Sequence, residues 1–263
     1  MNLVVLVKHV PDTAEAELAI AADGVSVKAA GLPYQMNEWD RFALEEAVRL
    51  KEATGGTLAA FLLGPEEHEE SLRRCLALGA DRAVRVWDPL LESAGPLAVA
   101  SMLRAALGNT PFDLILCGAQ ASDDGYGMVG AALAELLGTP SAALVNSIGI
   151  SGERAVCTRE LEGGWGEVVE LDLPAVVTTQ TGLNEPRYVS ILGTRKARAK
   201  PIEVVDLSRA GVAPEEVGAW KNRLRLEGLE PPPVGKEAEI LAGNPEDIAR
   251  AFVSVLAEKA GVL

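Results

Sequence analysis

LILCGAQASDDGYGMVGAALAELL, residues 114–137, runs from a short apolar segment through a glycine-rich loop into a helical pattern. The order is that of a buried β-strand followed by an α-helix. Glycines at 118, 125, 127 and 130 let backbone N–H groups approach a ligand closely, and the helix after them would offer its positive end to a phosphate. Ser122 and Asp123 add side-chain hydrogen-bonding groups. An ordinary glycine-rich βα turn has the same composition, so the residues alone leave both readings open.

On either side the alternation repeats. Leu3–Val7, Thr57–Leu63, Ala83–Trp87 and Leu114–Cys117 are apolar runs of strand length. Between them, Asn37–Ala53, Glu66–Leu78 and Pro96–Leu107 have helical character, and Val129–Leu137 comes after the last. In Asn37–Ala53, Phe42, Leu44, Ala47, Val48 and Leu50 recur near helical spacing. Strands alternating with helices predict an α/β fold, a parallel sheet covered on both faces. After residue 140 the rhythm changes. Ser147–Glu160 and Glu167–Leu173, joined by a Gly-rich turn, predict an antiparallel hairpin over 147–173, and Pro174–Thr179 a further buried strand. Residues 181–201 read as a polar, irregular stretch with a basic end. Prolines at 231–233 mark a linker, and Asn244–Lys259 reads as a final helix, capped by Asn244 with Pro245 in its first turn. The expected division is a domain over 1–202 and a C-terminal arm over 203–263.

Composition narrows the function. Acids outnumber bases 38 to 24, a formal net charge of −14, which argues against nucleic acid and against an anionic membrane surface. No run approaches the ~20 apolar residues that span a bilayer, and the apolar start lacks a basic leader and a cleavage site. Cys75, Cys117 and Cys157 are too widely spaced for a disulfide framework or a zinc motif. A soluble protein of the reducing cytoplasm is expected.

Catalytic signals are poor. His68 lies within Glu66-Glu67-His68-Glu69-Glu70 and reads as a solvated surface residue. His9 comes just after the first strand, where α/β active-site loops begin, but no serine or cysteine motif converges on it. Asp123-Asp124 has no adjacent acid or base, and neither a P-loop nor a first-strand G-x-G-x-x-G occurs. No catalytic residue and no metal site are expected. Leu63-Gly64-Pro65 also lies at a strand's end and can flank the crevice of the 118–130 loop. Ile191 and Leu192 are apolar residues within a polar stretch, suited to a partner's pocket, with a basic run after them at Arg195–Lys200.

Several segments together resemble the β subunit of electron transfer flavoprotein: Asn37-Glu38 with Ala43–Leu50, Ala77–Ala83, Arg159–Gly164 through Leu173–Thr178, and above all Asn184-Glu185-Pro186-Arg187-Tyr188 with Lys196-Ala197-Arg198 beyond it. The resemblance spans nearly the whole chain and weakens in the C-terminal arm. It implies a Rossmann-like, adenine-nucleotide-binding fold and an electron carrier rather than an enzyme. The carrier pairs with an α subunit that holds most of the redox FAD. Electrons come from acyl-CoA or other flavin dehydrogenases, as in fatty acid oxidation, and pass to a quinone oxidoreductase or another acceptor. AMP is the implied ligand of this chain, at Leu6, Asn37, Glu38, Trp39, Asp40, Leu63, Gly118, Ala119, Gln120, Ala121, Ser122, Asp123, Asp124, Gly125, Tyr126, Gly127, Met128 and Val129. Ile191 matches the family's partner-docking anchor, with Leu192, Arg187 and Tyr188 beside it, and the C-terminal arm would dock on the α subunit. Many relatives read G-K-Q-x-I-D-G-D-T-x-Q-V-G in the nucleotide loop; here Ala119, Gly125 and Met128 replace lysine, aspartate and glutamine. A second FAD in this subunit, as in bifurcating members, is therefore the alternative, and a stand-alone adenine-nucleotide binder of the same fold is another.

Overall fold

A computed structural model describes residues 1–14, 18–28, 30–108, 110–221, 224–233, 235, 238 and 240–260. In chain order the first elements are β1 (Asn2–Leu6), β2 (His9–Pro11), β3 (Tyr34–Met36), α1 (Glu38–Thr54), β4 (Thr57–Leu63), α2 (Glu69–Leu78), β5 (Arg82–Val86) and α3 (Pro96–Leu107). Next come β6 (Leu114–Gly118), α4 (Val129–Leu137), β7 (Ser141–Ser151), β8 (Arg154–Leu161), β9 (Trp165–Asp172) and β10 (Ala175–Thr179). The last are α5 (Ile191–Ala199), β11 (Glu203–Val205), α6 (Leu207–Ala210), α7 (Pro214–Lys221) and α8 (Pro245–Val255).

Nine strands form one sheet in the order β11-β5-β4-β1-β6-β10-β7-β8-β9, parallel from β11 to β7 and antiparallel through β8 and β9. The central strands read as continuous apolar runs because both sheet faces are covered. Successive side chains of β1 go to opposite sides: Leu3 and Val5 join the core that holds α1 and α2 residues, while Val4 and Leu6 join the one that holds α3 and α4 residues. β6 divides the same way, with Leu114 and Leu116 on one side and Ile115 and Cys117 on the other. The parallel Rossmann-like sheet expected from the sequence is thus the observed one.

Three expectations need correction. The hairpin over 147–173 is a three-stranded meander, β7-β8-β9, that starts at Ser141. Gly152, with φ of 60°, makes an additional turn between Ser151 and Arg154, and the alternation of apolar residues across it hid the reversal. The stretch 181–201 is not wholly irregular, since Ile191–Ala199 forms α5. Ser190 caps that helix by accepting from the Gly193 N–H at 2.9 Å, yet only Ala197 is buried on it, so the sequence carries little amphipathic signal. A two-stranded antiparallel sheet, β2 with β3, went unread because each strand has three residues.

The chain divides into two compact units, Met1–Ala19 with Val27–Glu227, and Ile20–Ser26 with Gly228–Leu263. Residues 203–221, expected from the sequence to belong to the arm, lie in the first unit, where β11 pairs with β5. In the second unit, the Leu229 N–H donates to the Gly24 carbonyl at 2.8 Å. Asn244 caps α8 by accepting from the Asp247 N–H at 3.0 Å, and α8 buries none of its residues.

Leu116 is fully buried in the strand between β1 and β10. Leu116→Ala is expected to lower the unfolding free energy by about 2–5 kcal/mol, the usual cost of a core cavity, read from the urea midpoint at unchanged m-value. A loss below about 1 kcal/mol would mean that the central core collapses readily around the gap.

Candidate functional site

After β1 the sheet grows outward through β4 and β5; the chain then crosses back to place β6 on the other side of β1. Beyond the carboxyl ends of β1 and β6, the loops must therefore part. This is the position at which parallel α/β sheets bind ligands. A cavity of about 1060 Å³ opens here, floored by Leu6, Phe61 and Leu63 and walled by residues 117–121 and 126–130.

Asp40, in the first turn of α1, closes the gap between the two strand ends. Its carboxylate accepts from the Lys8 N–H at 2.7 Å and from the Gly118 N–H at 2.9 Å. Gly118 must be glycine: a Cβ there would stand 2.5 Å from Asp40 Oδ1 and 2.6 Å from Trp39 Cβ. Burial pushes the Asp40 carboxyl up to about 7, against the pull of these two N–H donors. One residue before the helix, Asn37 holds the loop itself. Its Nδ2 donates to the Gln120 carbonyl at 2.9 Å, and its Oδ1 accepts from the Ser122 N–H at 3.2 Å. Lys8 reaches the far side of the same loop, its Nζ 2.7 Å from both Asp123 Oδ1 and Asp124 Oδ2. Burial alone would depress the Lys8 ammonium; the two carboxylates outweigh it and raise the pKa.

The opposite wall is aromatic. His9 stacks on Tyr34 with ring centroids 5.5 Å apart, and His68 lies 4.9 Å from His9. Ser71 Oγ is 2.9 Å from His9 Nδ1. His68 is therefore not the solvated surface residue that its acidic neighbours suggested. Its ring folds back over Gly64, where a Cβ would meet Nδ1 at 2.3 Å. Burial, then the neighbouring His9, lowers its pKa to about 4, so the imidazole is neutral at pH 7. The Cys117 thiol is driven well above its ordinary value by burial and then by Asp40, and among the described residues no group of three or more His, Cys, Asp or Glu could hold a metal.

Of the residues singled out in the sequence, Leu6, Asn37, Asp40, Leu63, Gly118, Ala119, Gln120, Ala121, Asp124, Tyr126, Gly127, Met128 and Val129 line the cavity. Glu38, Trp39, Ser122, Asp123 and Gly125 stand behind it: Ser122 and Asp123 are tied to Asn37 and Lys8, and Gly125 supplies a turn with φ of 63°. Sequence reasoning missed Lys8, Tyr34 and the segment after β5 that contributes Trp87, Pro89 and Ser93 to the wall. Lys8 and Trp87 each stand at a strand's end, a signal that applied equally to them. The start of α4 has no side-chain cap, so its first N–H groups are free to meet an anion at the cavity edge. An apolar floor, close backbone approach and a positive helix end fit an adenine nucleotide.

The predicted docking residues lie on a separate surface of the same unit. Tyr188 is 93% exposed, Ile191 92% and Leu192 61%. Arg187 is different, because its guanidinium is engaged within the chain by Glu45 and Glu52. Helix α5 sits close against α2: a Cβ on Gly193 would meet the Ala77 carbonyl oxygen at 2.6 Å, and Arg73 Nη1 donates to the carbonyls of Ala197 and Lys200 at 3.0 and 2.5 Å. Among the described residues no helix is long and apolar enough to cross a membrane.

A family model described as "Electron transfer flavoprotein domain" matches residues 25–210. The chain is 37% identical over 265 residues to the electron transfer flavoprotein subunit beta of Methylophilus methylotrophus, with 99% of this chain and 100% of that protein covered. It is 36% identical to the subunit of the same name from Bacillus subtilis (strain 168), over 100% of both chains. The caffeyl-CoA reductase-Etf complex subunit CarD of Acetobacterium woodii is 33% identical, with 98% of this chain and 99% of that protein covered.

Asp40 gives the site a pH signature. In the folded chain it keeps its proton up to about pH 7, whereas unfolded it releases it at roughly pH 4. Folding thus takes up a proton in between; the contribution is full below about pH 4 and is lost as pH rises through about 7. Relative to Asp40→Asn, the wild type is expected to lose roughly 1 kcal/mol of stability per pH unit between pH 5 and 7, measured by urea unfolding at each pH. A constant difference between the two proteins would show that Asp40 is already ionised at pH 5.

Proposed function

The chain belongs to the electron transfer flavoprotein family, as a β subunit, and on that premise we propose that it works in a heterodimer as a docking and cofactor-shielding partner. Its α subunit holds most of the redox FAD, which supplies the one- and two-electron chemistry when bound. The heterodimer takes electrons from acyl-CoA or other flavin dehydrogenases, serves fatty acid oxidation in the cytoplasm, and delivers to a quinone oxidoreductase or another acceptor. Electron transfer requires proximity and exclusion of water more than acid–base groups.

The observation that carries this reading is the cavity at the parting of β1 and β6, closed by Asn37 and Asp40. AMP is its proposed occupant. The first N–H groups of α4 receive the phosphate, and Leu6 and Leu63 cover one face of the base. The role is structural: a ligand bound only by the folded state stabilises it by about 2.7 kcal/mol at a hundred times its Kd. The C-terminal unit contributes assembly. Ile248, Phe252 and Val255 recur at helical spacing on α8, a helix that buries none of its residues, and we assign this face to the α subunit.

A second reading has its own support. CarD, a relative named for a caffeyl-CoA reductase-Etf complex, is similar over 98% of the chain, and loop 118–130 departs from the common AMP-type pattern at Ala119, Gly125 and Met128. A second FAD in the cavity would make the complex a bifurcating one.

Co-expression with the α subunit, denaturation of the purified complex and chromatography of the released nucleotides separate the readings. One FAD and one AMP per heterodimer is the expected result. Two FAD without AMP would establish the bifurcating alternative, and a colourless complex would overturn both. For docking, burying an aliphatic anchor contributes roughly 1.5–3 kcal/mol, so Ile191→Ala is expected to raise the KM for the donor dehydrogenase by about ten- to a hundredfold with kcat little changed. An unchanged KM would remove Ile191 from the interface.

A further inference from the structure

Two carboxylates on α1 are buried where a helix of this kind ordinarily faces apolar neighbours. Glu45 is 4% exposed and Glu46 9%. Buried carboxylates require partners, and the chain supplies them from a segment about 140 residues away. The backbone N–H of Arg187 donates to Glu45 Oε2 at 3.0 Å, and its Nε lies 3.1 and 3.0 Å from the two Glu45 oxygens. The other end of the same guanidinium grips Glu52 in a two-pronged contact, Nη1 to Oε1 at 2.7 Å and Nη2 to Oε2 at 3.1 Å. Three residues earlier, Asn184 Nδ2 donates to Glu46 Oε2 at 3.0 Å and to the Phe42 carbonyl at 3.1 Å. Arg49 adds only longer contacts, 3.6 Å to Glu45 and 4.0 Å to Glu46.

We propose that Arg187 is a positioning residue for electron-transfer docking: through Glu45 and Glu52 it latches the segment 184–188 to α1, and so fixes where Tyr188 and Ile191 are presented. The inference rests on the reading of Ile191 as the docking anchor and adds its mechanism. Tyr188 and Ile191, 93% and 92% exposed, have little packing of their own to hold them. The latch holds the chain on their N-terminal side, and the seating of Gly193 against Ala77 holds it on their C-terminal side. Arg187 therefore acts within the chain, because both ends of its guanidinium are occupied, and its side chain does not supply positive charge to an acidic partner. Both carboxylate contacts favour its charged form, that with Glu52 most and that with Glu45 next.

The test uses the complete heterodimer, reduced by an acyl-CoA dehydrogenase that reduces the wild type. Arg187→Met is expected to raise the KM for that dehydrogenase roughly tenfold at unchanged kcat. It should leave the salt dependence of KM unaltered and accelerate amide exchange across 184–199. Because Arg187→Met leaves Glu45 buried without its main partner, two further proteins are measured. The double variant Glu45→Gln/Arg187→Met is expected to match the single variant in KM, and Glu52→Gln, which retains the Arg187–Glu45 contact, to show a smaller shift in the same direction. A KM that rises with a weakened salt dependence and unchanged exchange would place Arg187 on the partner and overturn the latch. An unchanged KM in Arg187→Met, when Ile191→Ala raises it, would also overturn the latch while sparing the docking reading. An unchanged KM in Ile191→Ala would remove the docking reading, and the latch with it.

Discussion

One carboxylate bridges the place where this sheet must open. Strands β1 and β6 are neighbours along their length, but the chain leaves them in different directions, and their terminal N–H groups lose ladder partners at the point of divergence. Asp40 accepts from both, at Lys8 and at Gly118. A buried acid without such donors would be costly, and two strand ends without an acceptor would leave buried donors unmatched. Each half of the arrangement satisfies the other, and the glycine at 118 is the steric condition that lets them meet.

Helix α1 extends that function along its length. Its first turn, with Asn37 before it, holds loop 118–130 through side-chain contacts, its middle carries the buried Glu45 and Glu46, and Glu52 near its end completes the grip on Arg187. Apolar packing gives the helix its place: Ala43, Leu44, Ala47 and Val48 are buried in the core beneath it. The polar contacts then determine what the helix arranges around itself. The cavity and the segment 184–188 are thereby tied to a single helix, 17 residues long.

The sheet was legible because burial on both faces leaves uninterrupted apolar runs, as in Leu3–Leu6 and Leu114–Cys117, and glycines mark the ends of the helices between them. The cavity was legible for a related reason, since strand ends and a glycine-rich loop are local features. The readings that failed depended on distant partners. α5 is held by its Ser190 cap and by Arg73 from α2 rather than by an apolar stripe. His68 sits among four glutamates in sequence, yet its ring turns inward over Gly64 toward His9, 59 residues earlier in the numbering. The contacts of Arg187 with Glu45 and Glu52 likewise had no local signature. The hidden turn at Gly152 is of another kind, as the strand pattern simply continued across it.

The strand order also sets a timetable for biosynthesis. β1 is made first but lies at the middle of the sheet, pairing with β4 on one edge and with β6 on the other. β4 ends at Leu63 and β6 at Gly118, so at roughly 5–20 residues per second a nascent chain holds β1 with one edge unpaired for some 3–11 seconds. During that interval Leu3, Val4, Val5 and Leu6 lack half of their eventual cover, on an edge able to recruit any other strand nearby.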